Sequence, residues 1–135
     1  MSTLYKFGAA TVVAAWALTT MSAAQATNRY AVACVHNKTD MPIHYQIRWA
    51  DAGTWQSHTL RPGYRTAFAH RYARQNENRS PELLVRFDSD LRSKRFDIQY
   101  KLDKKAATGD QCEEGRQYYF RYEPNRRDLI DLTKG

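Results

Sequence analysis

The chain has 135 residues, of which 42% are hydrophobic, 26% charged and 13% aromatic. That length fits one globular domain and is too short for a large catalytic barrel. Six Gly and four Pro exclude a collagenous or Pro-rich low-complexity chain, and the aromatic content excludes one too polar to form a core. Twenty-one Lys and Arg against 14 Asp and Glu give a formal charge of +7, which points to anionic partners.

Residues 1–26 differ sharply from the rest. Lys6 is their only charge, an apolar run extends from Phe7 to Leu18, and Ala24-Gln25-Ala26 places small residues where a signal peptidase reads. The pattern predicts a secretory signal peptide cleaved near Ala26 and therefore an exported protein, periplasmic or extracellular. The apolar run breaks at Thr19, Thr20 and Ser22, short of the roughly 20 residues a spanning helix needs. No later stretch approaches that length, so no transmembrane segment is expected in the mature chain. Removing 1–26 takes away only Lys6 and leaves residues 27–135 as one domain with a charge of +6.

Cys34 and Cys112 both lie in that domain. An even count in an exported chain reads first as a disulfide. The two are far from the close spacing of a redox CxxC and supply too few ligands for a structural zinc.

Period-two alternation dominates the elements in chain order. Tyr30 to His36 reads as a strand, followed by the turn-favouring Asn37-Lys38-Thr39-Asp40 and Pro42. In the next strand Ile43, Tyr45, Ile47 and Trp49 alternate with His44, Gln46 and Arg48. The two are expected to pair as a hairpin with Ile43 opposite His36, Tyr45 opposite Cys34, Ile47 opposite Val32 and Trp49 opposite Tyr30, which turns Cys34 inward. Trp55–Leu60 and Arg65–His70 flank Pro62-Gly63, a type II turn signal. That turn matches hairpin twist poorly, so these strands either pair or belong to different sheets. After a polar loop from Tyr72 to Pro81, Leu83, Val85 and Phe87 face one way and Leu84, Arg86 and Asp88 the other. Phe96, Ile98, Tyr100 and Leu102 alternate with Arg95, Asp97, Gln99 and Lys101. A loop from Asp103 to Gly115 precedes a strand through Tyr118, Phe120 and Tyr122, and Arg127 to Leu132 does not separate helix from strand. Seven or eight short strands predict an all-β fold, an antiparallel β-sandwich or open Greek-key barrel with one disulfide.

Catalytic and metal chemistry finds little support. His36, His44, His58 and His70 show no short ligand spacing, and no metal or cofactor is expected. Asp88-Ser89-Asp90 resembles half a calcium loop but lacks its Gly and closing Glu, so these residues read as a turn. Ser57, Ser80, Ser89 and Ser93 sit in no nucleophile elbow. The carboxylates Glu113 and Glu114, or Asp128 and Asp131, stand in polar surroundings unsuited to a raised pKa. Asn37-Lys38-Thr39 and Asn78-Arg79-Ser80 fit the glycosylation acceptor pattern.

The basic segment is the outstanding feature. Arg61, Tyr64, Arg65, Arg71, Tyr72, Arg74 and Arg79 form the candidate binding set, with His70 among them and Glu77 the only nearby acid. Arg pairs in a fork with phosphate, sulfate or carboxylate, and tyrosine offers a flat face to sugar rings. A second basic group, Arg92, Lys94 and Arg95, falls at a strand connection. Export disfavours nucleic acid as the physiological partner and leaves anionic glycans, lipid headgroups, cell-wall polymers and acidic proteins. The expectation is a noncatalytic binding or envelope-associated domain that engages an anionic surface or glycan through this basic, tyrosine-containing segment. The alternatives are a solvated loop that serves solubility, a structural or protein-interaction module of the envelope, and a small secreted enzyme. A cavity where His70 or His58 meets a carboxylate would mark the last.

Overall fold

The computed structural model describes residues 27–135; the signal-peptide assignment to 1–26 lies outside the described residues. Among the described residues nine strands form two sheets with antiparallel pairing predominant, the β-sandwich expected, and one short 3-10 helix lies outside them. The strands are β1 Tyr30–Asn37, β2 Ile43–Trp49, β3 Gln56–Leu60, β4 Arg65–Arg71, β5 Leu83–Phe87, β6 Ile98–Leu102, β7 Lys105–Ala107, β8 Arg116–Glu123 and β9 Arg126–Lys134. One sheet runs β9-β8-β1-β4, with β7 beside the first half of β1, and the other runs β3-β2-β5-β6. The β1–β8 pair is parallel. No helix among the described residues is long and apolar enough to cross a membrane.

The alternation read from sequence sets the inner faces. Ile43, Tyr45 and Ile47 of β2 and Leu83, Val85 and Phe87 of β5 are buried against Ala33 and Val35 of β1, Phe120 of β8 and Ile130 of β9. Aromatic contacts place the strands over one another. Phe87 and Phe120 meet edge to face with centroids 5.1 Å apart, and His58 of β3 meets Phe68 of β4 at 5.2 Å. Such pairs add about 0.5–1.5 kcal/mol beyond the area they bury.

The β1–β2 hairpin does not form. β1 pairs with β4, with Cys34 opposite Ala67 and His36 opposite Arg65, while β2 pairs with β3 and β5 in the other sheet. The cause is Asn37, which is buried. Its amide donates to the carbonyls of Met41 and Leu60, both at 2.8 Å, and its Oδ1 accepts from the Thr39 N–H at 2.8 Å and hydroxyl at 2.7 Å. These bonds shape residues 38–42 into a crossover between sheets. They also leave the Asn37 amide engaged and inaccessible as a glycosylation acceptor.

Cys34 is bonded to Cys112, but its side chain lies on the opposite face from that expected. Ala33 and Val35 fill the core between the sheets, so Cys34 points outward, where the Cys112–Glu114 3-10 helix covers it. Gly115 follows at a close approach, its missing Cβ falling 2.7 Å from Val32 Cγ1.

The Pro62-Gly63 turn joins different sheets, the second of the two expected arrangements. Gly63 has φ +78° and the Tyr64 N–H donates to the Arg61 carbonyl at 3.0 Å. Arg127–Leu132 is strand, within β9, because Ile130 and Leu132 alternate into the core. The Asp103–Gly115 loop contains the short β7.

Phe96 does not belong to β6. Residues 88–97 form a loop in which Leu91, Lys94 and Phe96 have φ of 72°, 58° and 51°. Each non-glycine residue in that region costs about 1–2 kcal/mol, and three carboxylates offset the cost. Asp88 accepts the N–H groups of Lys94 at 2.6 Å and Phe96 at 2.7 Å, so it is buried rather than facing out with Arg86. Asp90 accepts those of Arg92 and Ser93, and Asp97 takes both the N–H and hydroxyl of Ser89. These bonds hold the Asp90 and Asp97 carboxyls below the usual carboxylate range. Asp88 and Asp90 thus serve the turn.

Candidate functional site

The structure divides the basic segment between the two ends of β4. Arg71 lies six positions after Arg65 on the strand, about 20 Å at a rise of about 3.3 Å per residue. At the first end Arg61 lies 4.6 Å over the Tyr64 ring in the exposed turn, and Arg65 forms a 2.8 Å ion pair with Glu113. At the other end stand Arg71, Tyr72, Arg74 and Arg79.

The second group has a built foundation. The Asn28 N–H donates to Asn76 Oδ1 at 2.8 Å, and the Asn76 N–H returns a 2.8 Å bond to the Asn28 carbonyl. Tyr72 donates its N–H to the Arg29 carbonyl at 2.8 Å, and Glu77 accepts from the Ala73 N–H at 3.1 Å. Asn76 and Asn78 carry φ of 58° and 72°, a conformation asparagine tolerates because its short side chain bonds locally. The loop is thereby pinned to the segment that enters β1.

Arg71, Arg74 and Arg79 are exposed. Among the described residues, five ion pairs engage Arg65, Lys101, Arg126, Arg127 and Lys134, and none engages these three. The Arg71 guanidinium carbon lies 6.0 Å over the Tyr30 ring. A shallow cleft runs between Arg71 and Arg79, with Glu77 and His70 in its walls. Tyr72 offers no platform. It is 7% exposed, packed edge-on to His70, and burial pushes its phenol pKa up.

Two further cations stand at this end. Lys105 lies on β7, which pairs with Tyr30–Val32 at the start of β1, and Lys104 sits 5.9 Å over the Trp49 ring. Burial against that ring pushes the Lys104 pKa down. Sequence reading placed both in a connecting loop. What it lacked was the pairing of β7 with β1.

The histidines divide by strand face. His44 is exposed, its Nδ1 2.9 Å from the Thr59 hydroxyl. His36 Nε2 lies 2.6 Å from Gln117 Oε1 and its ring stacks on Tyr119. His58 stacks on Tyr45, and burial lowers its pKa. Neither His58 nor His70 is hydrogen-bonded to a carboxylate among the described residues, and no cluster of three or more metal-ligating side chains occurs there.

One arrangement escaped sequence reading. On the outer face of the second sheet the Arg86 guanidinium is held between Trp55, 4.2 Å from its centroid, and Phe96, 5.1 Å from its centroid, with Arg48 5.2 Å from Trp55. The outward positions of Arg48 and Arg86 were legible, but the approach of Trp55 and Phe96 depends on two loops.

No family model matches the chain, and no curated protein matches it. One solved structure does, the NMR structure of a protein from Eubacterium rectale, 12% identical, with a TM-score of 0.40 over 86% of this chain and 94% of that one.

Proposed function

We propose that this protein is an exported, noncatalytic binding domain whose 71–79 segment engages an anionic glycan or surface. The observation that carries this reading is the state of Arg71, Arg74 and Arg79. They are exposed, lack ion-pair partners among the described residues, and rise from a loop held by reciprocal Asn28–Asn76 bonds. Guanidinium groups presented on a fixed backbone lose little further freedom when an anion arrives, and desolvate less than ammonium groups do. Lys104 and Lys105 extend the positive field at the same end. Within the earlier candidate set, Arg71, Arg74 and Arg79 form the binding group. Arg65 is held by Glu113 and Tyr72 supports the loop from beneath.

The test is retention of the protein on heparin and on vesicles of anionic lipid across a salt gradient. R71E/R74E/R79E is compared with K38E/R95E/R121E, which carries the same charge change elsewhere. The expected result is at least a tenfold loss of affinity for the first variant and a much smaller loss for the second. Equal losses would assign retention to net charge alone and remove the site. Unchanged retention in both would move the search to protein partners and the structural-module reading.

A further inference from the structure

The 88–97 loop and the β2–β3 hairpin enclose a second cleft of about 390 Å³, a volume in the range of small-molecule sites. It lies toward the end of the sandwich opposite Arg71, since β2 begins there and finishes at Trp49, close to His70. Its charge is one-sided. Arg92 and Lys94 stand at its rim, both exposed, and neither is in an ion pair among the described residues. Asp88 is the only carboxylate in the lining among the described residues. It is 5% exposed and each of its oxygens already accepts a backbone N–H from the loop, so its role is to hold the wall that carries Lys94.

The hairpin side supplies neutral polar groups. His44 uses Nδ1 toward the Thr59 hydroxyl at 2.9 Å, which leaves Nε2 uncommitted, and the Ser57 hydroxyl accepts from Gln46 and retains its proton for donation. His58 also contributes to the lining, and its buried Nε2 has no hydrogen-bond partner among the described residues. Phe96 adds an aromatic wall whose orientation is fixed by Arg86, 5.1 Å from its centroid. Cations at the rim, hydroxyl and imidazole groups on one side and an aromatic wall together suit a small molecule with an anionic group and several hydroxyls. The loop is pre-shaped, because the Asp88, Asp90 and Asp97 bonds hold Leu91, Lys94 and Phe96 at positive φ. Residues kept in such conformations concentrate at ligand clamps.

The geometry points to a second, independent binding site in this cleft for an acidic monosaccharide, a sugar phosphate or a uronic acid. Arg92 and Lys94 receive the anionic group, while His44 and Ser57 bond the sugar hydroxyls. This goes beyond the polyanion reading, shares no residue with it, and stands if that reading fails.

The test is titration of the ¹⁵N-labelled protein with glucose 6-phosphate, glucuronate, glucose and inorganic phosphate, followed by amide shifts at His44, Thr59, Leu91 and Phe96. Saturable shifts are expected with glucose 6-phosphate or glucuronate, and the arm that binds more tightly identifies phosphate or carboxylate as the anionic group. Glucose is expected to bind at least tenfold more weakly. R92Q/K94Q should weaken the favoured sugar anion at least tenfold, and R71E/R74E/R79E should leave it within twofold of the parent. The site is overturned by saturation with inorganic phosphate alone at equal affinity, by glucose binding as well as its anionic counterparts, by indifference to R92Q/K94Q, or by no saturable shift with either sugar anion.

Discussion

The Asn37 amide donates a 2.8 Å hydrogen bond to the Leu60 carbonyl, joining the last residue of β1 in one sheet to the last residue of β3 in the other. The same residue receives the Gly63 N–H on its own carbonyl and gives its N–H to Tyr64. One buried side chain therefore ties the 38–42 crossover to the Pro62-Gly63 turn.

Replacing Asn37 with Ala removes the side-chain donor to the buried Leu60 carbonyl and the acceptor of the Thr39 N–H, while the Met41 carbonyl keeps the Thr39 hydroxyl at 3.0 Å. An unsatisfied buried group costs about 1–3 kcal/mol, so Asn37→Ala is expected to lower stability by about 2–4 kcal/mol in urea unfolding. A loss below about 0.5 kcal/mol, the range of ordinary surface substitutions, would show that the crossover does not depend on this side chain.

Gly115 and Val32 are coupled by space. A Cβ on residue 115 would fall 2.7 Å from Val32 Cγ1, and overpacking of this kind costs about 1–3 kcal/mol. Gly115→Ala should destabilise by that amount, and adding Val32→Ala should cost less than the sum of the two single changes. Strict additivity in the double-mutant cycle would mean the segment shifts freely away from β1.

The Cys34–Cys112 bond holds the 3-10 helix over the outer face of β1. Gln117 supports the same cover by donating to the Cys112 carbonyl at 2.7 Å. Loss of a native bridge in a small domain costs about 2–5 kcal/mol, and C34A/C112A should show it as a lower urea midpoint. An unchanged midpoint would mean the unfolded chain gains nothing from being released.

Tyr100 predicts behaviour in alkali. Its hydroxyl donates to Asp131 Oδ1 at 2.7 Å, linking the edge strands β6 and β9, and this bond to a carboxylate raises its pKa from 10.0 to about 12. The folded state prefers the protonated phenol. Its contribution to stability is complete below pH 10, the unfolded value, and is lost as pH rises toward about 12. Ultraviolet absorbance titration should reveal a phenol ionising near pH 12 that disappears in Tyr100→Phe and moves back toward pH 10 in Asp131→Asn. Ionisation of this phenol near pH 10 in the folded parent would rule out the bond.

The strands were legible where one face is buried and the other wet. Ile43-Tyr45-Ile47 and Leu83-Val85-Phe87 announce their inner faces by residue type, and the core uses them so. β1 gave no such signal, since Tyr30 to Val35 is apolar at nearly every position. With both of its faces covered, by the core and by the 3-10 helix, alternation is absent and residue type does not show which face Cys34 takes. The binding set shows the same limit. Arg65 and Arg71 are close in sequence, but an extended strand places them at opposite ends of the sandwich.

Composition and short-range pattern alone determined the all-β class, the disulfide, the turn at Pro62-Gly63 and the positive surface, because each follows from residue type or from neighbours a few positions apart. The tertiary structure decided which strands pair, which arginines among the described residues remain without ion-pair partners, and that Arg92 and Lys94 line one cleft with His44 and Ser57. Those outcomes depend on long-range contacts such as Asn37 with Leu60, Asn28 with Asn76 and Arg65 with Glu113. Whether two residues distant in the chain meet is set by the closing of the whole sandwich, which no local preference encodes.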